Sequence, residues 1–206
     1  MKKNLFIVLE GIDGSGKSSQ IKLMEEKLTA AGHKVATTLE PSTGYIGSLL
    51  TDILTGKVKT DHRVIAALFA ADRLEHITNP TTGILHLLAE GYTVISDRYY
   101  FSSYAYNGYY SGMDWVIALN KQCSSLLRPD LNIFIDVPPE VSMARIRANR
   151  QTTELFEKLE TLTKVKAQYF EAFEQLKNEE QIFITDGNRP LQEIASDIWN
   201  KVSTML

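Results

Sequence analysis

Apolar and polar positions alternate along this chain between two kinds of segment. Short, nearly continuous apolar or β-branched runs recur at Leu5–Leu9, Lys34–Leu39, Tyr92–Ser96, Leu131–Val137 and Gln181–Thr185. Runs of this length and composition predict strands. Helical spacing fills the intervals. After Lys17, apolar residues at Ile21, Met24, Leu28 and Ala31 share one helix face, and Gly32 stands where a C-terminal cap belongs. Leu155, Leu159, Leu162, Tyr169, Phe173 and Leu176 make a second stripe. A third, entered through Pro190, runs over Leu191, Ile194, Ala195, Ile198, Trp199 and Val202. Strands alternating with helices predict an α/β protein whose parallel sheet is covered by helices. No internal repeat, low-complexity stretch or linker rich in Pro and Gly interrupts the pattern, so one domain over 1–206 is expected.

Ligands in parallel α/β sheets collect at the carboxyl ends of strands. The five predicted strands are followed, in order, by a glycine-rich loop, by Glu40-Pro41, by Asp97-Arg98-Tyr99, by Asp136-Val137-Pro138-Pro139 and by Asp186-Gly187-Asn188-Arg189. Charge at four such ends exceeds what loop polarity needs, although any one of these groups also suits a helix cap. The glycine-rich loop is the most specific. Gly11, Ile12, Asp13, Gly14, Ser15, Gly16, Lys17, Ser18 and Ser19 contain the spacing G-x-x-x-x-G-K-[ST]. A tight turn explains one or two glycines but not this spacing. Glycines let the backbone wrap a phosphate and aim N–H groups at it, and the following helix adds its positive end. Lys17 can then reach the outer phosphates and the Ser18 hydroxyl can ligate Mg²⁺. The loop predicts binding of a nucleoside triphosphate with Mg²⁺.

Composition narrows the class. The 206 residues suffice for one sizeable core, and a net charge of -3 without a long basic run argues against a sequence-independent nucleic-acid binder. Cys123 is alone, which leaves no disulfide framework and no cysteine metal site. The apolar run after Met1-Lys2-Lys3 ends at Glu10, too short for an export signal, and Val64–Ala71 is far short of a membrane span. A cytoplasmic location is expected, with neither membrane nor nucleic acid as partner. A GTP switch is disfavoured: Asn120-Lys121-Gln122-Cys123 lacks the aspartate of a guanine signature, and Asp97 is followed by Arg98-Tyr99-Tyr100 rather than by D-x-x-G. A motor or multi-domain ATPase would be longer. His33, His62, His76 and His86 show no partner pattern and are expected at the surface or at caps. What remains is a small phosphoryl-transfer enzyme with arginines to hold several anionic groups.

The segments LEGIDGSGKSS, LEP, LFAADR, DRYYFSSYAY, RPD and IDVPPE follow one another as in thymidylate kinases, and the chain resembles that family over nearly its whole length. The resemblance implies a three-layer P-loop kinase fold with five parallel strands and a lid segment around 145–157. It implies that Phe69 and Arg73, four apart on one helix face, stack the thymine ring and bond its carbonyl. Core packing alone would explain Phe69, but a buried unpaired Arg73 would be costly. Ser103 matches the contact to the far edge of the base, and Tyr106 the ring that fills the place of a ribose 2′-hydroxyl. Asn107 stands where many relatives carry glutamine. Asp13, odd inside a phosphate loop, matches a carboxylate near the acceptor's 3′-hydroxyl and phosphate. Arg98 would hold the acceptor 5′-phosphate, Asp97 would orient that arginine or a metal-bound water, and Glu40 and Pro41 would line the acceptor cleft.

The chain also departs from its relatives. Leu39 precedes Glu40 where many carry arginine, Gly14 stands where some place a loop arginine, and Glu154-Leu155-Phe156-Glu157 replaces a D-R-x-E pattern. Positive charge is therefore expected from after the fourth strand, where Arg145, Arg147 and Arg150 are available, with Arg150 and then Arg147 as lid candidates. Arginines on a solvated helix face are the plain alternative. The resemblance further implies transfer from ATP to dTMP, with Mg²⁺ held at Ser18 and Asp97, in a homodimer formed through helices. The alternatives are a deoxynucleoside kinase, whose neutral hydroxyl acceptor would benefit from Glu40 as a base, and a nucleotide-binding module without turnover.

Overall fold

β1 (Phe6–Glu10) is buried at every position and sits at the centre of the molecule. The computed structural model describes residues 4–149 and 158–206. β2 (Lys34–Leu39), β3 (Tyr92–Asp97), β4 (Leu131–Asp136) and β5 (Ile182–Asp186) join β1 in one sheet of order β2-β3-β1-β4-β5, parallel throughout. The helices in chain order are α1 (Lys17–Ala30), α2 (Tyr45–Leu54), α3 (His62–Thr78), α4 (Ile84–Ala89), α5 (Tyr100–Ser102), α6 (Gly108–Ser111), α7 (Met113–Leu126), α8 (Pro139–Asn149), α9 (Leu159–Leu176) and α10 (Leu191–Ser203). A π-helical turn, Ser103–Asn107, joins α5 to α6.

The strand period of two divides the core. Phe6 and Val8 face one layer, built from α3, α7, α9 and the aromatic segment Tyr99–Tyr106. Leu5, Ile7 and Leu9 face the other, where Ile21, Met24 and Leu28 of α1 meet Ile194, Ile198 and Val202 of α10. The result is the expected α/β fold of a five-stranded parallel sheet flanked by helices. The predicted cap of α1 is present: Gly32 adopts φ 81°, and the next amide, His33, donates to the Leu28 carbonyl at 3.0 Å.

The strands end differently from the expectation in one informative way. Glu10, Asp97 and Asp186 are the last residues of their strands, not the first residues of loops, and β4 ends at Asp136, one residue inside the predicted run. The ladder does not stop where apolar character does. Leu9 pairs with Asp97, and Asp136 with Asp186, through their backbones. Charged side chains are thereby fixed on rigid strand ends. Of the second predicted stripe, Leu155 lies outside the described residues, and α9 begins at Leu159. No described helix is long and apolar enough to cross a membrane.

Candidate active site

The glycine-rich loop leaves β1 and enters α1 as its spacing predicts. Gly16 adopts φ 99° at the start of α1, with nothing near the place of a Cβ, so only its conformation demands glycine. Gly14 combines φ 77° with close packing: a Cβ there would lie 2.7 Å from the Ser142 carbonyl of α8. That approach leaves this loop no room for the arginine some relatives carry. The Lys17 ammonium folds back into the loop and donates to the Gly11 carbonyl at 3.0 Å and to that of Ile12 at 3.4 Å. Burial, with Arg98 nearby, lowers its pKa from the ordinary lysine range, and the neighbouring carboxylates oppose that shift.

Beside the loop stand the end of β3 and the first turn of α1. The Ser18 hydroxyl donates to Asp97 Oδ2 at 3.2 Å, while Asp97 Oδ1 is buried without a hydrogen-bond partner among the described residues. A buried carboxylate oxygen is rarely left unmatched. Next to it, Arg98 adopts φ 74° and donates from Nη2 to Asp13 Oδ1 at 2.5 Å. Burial works against the Arg98 charge, and Asp13, foremost among the groups that favour it, keeps the pKa well above its ordinary value. The Tyr106 hydroxyl donates to Asp13 Oδ2 at 3.0 Å and accepts from the Asp13 amide at 3.1 Å, and its ring lies 5.1 Å from the Arg98 guanidinium carbon. Asp13, Arg98 and Tyr106 thus form one unit between loop and aromatic segment.

Two cavities meet at this unit. A cleft of about 680 Å³ runs along the phosphate loop toward Arg145 and Arg189. A narrower one of about 100 Å³ is walled by Pro41, Phe69, Arg73, Ser103, Tyr106 and Asn107. Asp13, Glu40, Pro41, Leu54 and Arg98 line both.

Behind the narrow cavity lies a buried charge cluster. Arg73 donates to Glu40 Oε2 from Nε at 2.9 Å and from Nη2 at 2.6 Å, to Ser103 Oγ at 3.1 Å, and to Asn120 Oδ1. Both side chains of the Arg73–Glu40 pair are 1% exposed. The cost of burying Arg73 is therefore offset by a two-point ion pair and two neutral acceptors. Glu40 Oε1 meets His76 Nδ1 at 3.2 Å, and His76 Nε2 meets Thr38 Oγ1 at 2.6 Å. One turn of α3 before His76, Asp72 accepts from the Ser42 amide at 2.7 Å and from its hydroxyl at 2.6 Å, pinning the loop that carries Pro41.

Residues 9–198 match the family described as thymidylate kinase. A protein of Pyrococcus horikoshii named "Probable thymidylate kinase" is 37% identical over 203 residues, covering 95% of this chain and 94% of that one. The "Thymidylate kinase" of Shouchella clausii is 37% identical over 213 residues, covering 100% of this chain and 98% of that one. The chain belongs to the thymidylate kinase family.

Seen as a thymidylate kinase family site, the structure brings together nearly all the predicted residues. Asp13–Ser19, Glu40, Pro41, Phe69, Arg73, Asp97, Arg98, Ser103, Tyr106 and Asn107 line the two cavities, while Ile12 is buried in the core and Gly11 sits behind the loop, its carbonyl accepting from Lys17. Arg150 lies outside the described residues. Arg147 is exposed on α8 and is not among the residues lining the cleft. Arg145 is among them, donating to the Ser15 carbonyl at 3.3 Å and the Gly187 carbonyl at 3.0 Å, so it spans from the phosphate loop to the loop after β5. His76 corrects the expectation of a surface or cap residue: it is 7% exposed and belongs to the Glu40 cluster. Asn120, weighed only as part of a failed guanine signature, is buried against Arg73. The available signal was its place between Val116 and Cys123 on the buried face of α7.

Proposed function

We propose that this chain transfers the γ-phosphoryl group of ATP to dTMP, giving ADP and dTDP. One observation carries the reading beyond family membership: Arg98 and Asp13 line both cavities, at the seam where the phosphate-loop cleft meets the narrow cavity walled by Phe69, Arg73 and Tyr106. The donor triphosphate takes the loop Gly11–Ser19, with Lys17 at its outer phosphates. Arg145 lies along the far wall of that cleft, where the rest of the donor nucleotide extends. Thymine enters the narrow cavity, with Phe69 against its face, Arg73 and Ser103 at its polar edge and Asn107 beside it. Tyr106 occupies the 2′ side of the sugar, Asp13 its 3′ side, Glu40 and Pro41 close the cleft, and Arg98 receives the 5′-phosphate.

An acceptor phosphate has a second pKa of about 6, so its attacking oxygen is already anionic and needs no general base. The new bond forms from that oxygen to the γ-phosphorus as the bond to the bridging oxygen of ADP breaks. Two polyanions must be brought into line, and Lys17, Arg98 and an arginine of the 145–157 segment, with Arg150 and Arg147 as candidates, supply the neutralising charge. The unmatched Asp97 Oδ1 beside the Ser18 hydroxyl fits an Mg²⁺ site, directly or through water. Bound there, Mg²⁺ would spread negative charge away from the donor phosphates.

Glu40 argues against thymidine as acceptor, because both its oxygens are already taken by Arg73 and His76. Turnover of thymidine and dTMP, measured side by side with ATP and Mg²⁺, tests the reading. Phosphorylation of thymidine alone would overturn it. A cytoplasmic homodimer completes the proposal. The exposed apolar residues Tyr45, Leu49, Val64 and Leu74 on α2 and α3 support pairing through those helices, which light scattering would measure.

A further inference from the structure

Glu10 ends the central strand, directly before Gly11, and is 0% exposed. An ionisable group in that position is costly unless it is matched. It is matched on every side. Oε1 accepts from the Tyr99 amide at 2.9 Å and the Ser102 amide at 3.2 Å. Oε2 accepts from the Ser102 hydroxyl at 2.6 Å and the Tyr169 hydroxyl at 2.9 Å. Two carboxylate oxygens offer about four acceptor sites, so the donors fill an ionised carboxylate completely. Burial raises the Glu10 pKa, and these bonds, the Ser102 hydroxyl foremost, oppose the rise.

The matched donors all lead to Arg98. The amides of Tyr99 and Ser102 fix the backbone on its C-terminal side, where φ of Arg98 is 74°. The Ser102 hydroxyl, having given its hydrogen to Glu10, accepts from Arg98 Nη1 at 3.0 Å. Tyr169 brings α9 to the same point, its hydroxyl 2.8 Å from Ser102 Oγ. An ordinary core polar group would need none of this convergence on one guanidinium.

We propose that Glu10 is a positioning residue that acts through Ser102, with Tyr169 as its second brace, to hold Arg98 where the acceptor phosphate meets it. The inference rests on the role given to Arg98 above. Glu10→Gln turns one acceptor oxygen into a donor facing two hydroxyls. The two hydroxyls lose their charged acceptor and must turn to accept instead, so kcat/KM for dTMP should fall roughly tenfold or more, in line with the loss of a charge-assisted hydrogen bond, while KM for ATP stays near the parent value.

A double-mutant cycle with Arg98→Ala separates positioning from mere packing. In the Arg98→Ala background the further loss from Glu10→Gln should shrink to about twofold or less. If Glu10→Gln does not fold, Ser102→Ala and Tyr169→Phe carry the same cycle, each losing its effect once Arg98 is gone. Losses that multiply independently, or that fall equally on dTMP and ATP, overturn the positioning role while leaving Arg98 in place. An Arg98→Ala variant with parent dTMP kinetics would overturn both this inference and the site assignment beneath it.

Discussion

The phosphate loop and the narrow cavity beside it adjoin one another but are built from opposite materials. The loop is a contiguous run of residues that offers backbone amides and a single cation, Lys17, and its glycines adopt φ of 77° and 99° at positions 14 and 16. The cavity draws side chains from the loop after β2, from α3, from the segment after β3 and, through Asn120, from α7. A backbone-built site tolerates exchange of most side chains but not of the residues that allow its conformation. A site built from side chains has no local signature and depends on buried partners being matched all at once.

Three substitutions press on this contrast. Lys17→Ala should have the largest effect, a loss of about 10³–10⁵ in kcat, the range seen when a neutralising cation is removed from phosphoryl transfer. The melting temperature should hardly change, because Lys17 gives the loop only two bonds to its own carbonyls. Near-parent turnover would break the assignment of the loop.

Arg73→Ala should behave in the opposite manner. It leaves the Glu40 carboxylate buried without its ion pair, at a cost of about 3–5 kcal/mol in stability, and it weakens dTMP binding far more than ATP binding. Unfolding curves and binding isotherms for both nucleotides measure this. Equal losses for the two would reduce Arg73 to a structural residue.

Tyr106→Ala should shift the ratio of kcat/KM between dTMP and its ribonucleotide analogue by up to about a hundredfold, the reach of an apolar wall against an added hydroxyl. Tyr106→Phe keeps the ring and should keep the ratio, losing about 1.5–3 kcal/mol from the bond to the Asp13 carboxylate. A ratio unmoved in Tyr106→Ala, with both values falling together, would make Tyr106 a packing residue.

Legibility in the sequence follows the same division. The strands were placed within a residue or so because strongly apolar runs and turn residues are local signals. The phosphate loop was readable from Gly11 to Ser18 for the same reason. Phe69, Arg73 and Tyr106 came into view only through resemblance to thymidylate kinases, since periodicity alone assigns such residues to the core. His76, Asn120 and Glu10 were missed because each gains its meaning from a partner more than thirty residues away in sequence. No local pattern records that His76 will meet Glu40, or that Glu10 will meet Ser102. For Glu10 the available hint was a charged residue closing an otherwise apolar strand.

Position 98 carries a further consequence. A β-carbon held at φ 74° costs roughly 1 kcal/mol compared with glycine. Arg98→Gly and Arg98→Ala both discard the guanidinium, so the difference between their melting temperatures isolates the backbone contribution. The glycine variant should be the more stable of the two by about that amount, and both should keep only a small residual activity on dTMP. For the backbone alone, glycine is the easier residue at this position, while the side chain of Arg98 returns an ion pair to Asp13. With Arg98 in the role proposed above, the backbone strain at position 98 accompanies a side chain kept for the acceptor phosphate. Variants at position 98, scored separately for melting temperature and for turnover of dTMP, would read the backbone and the side chain as two independent demands on one residue.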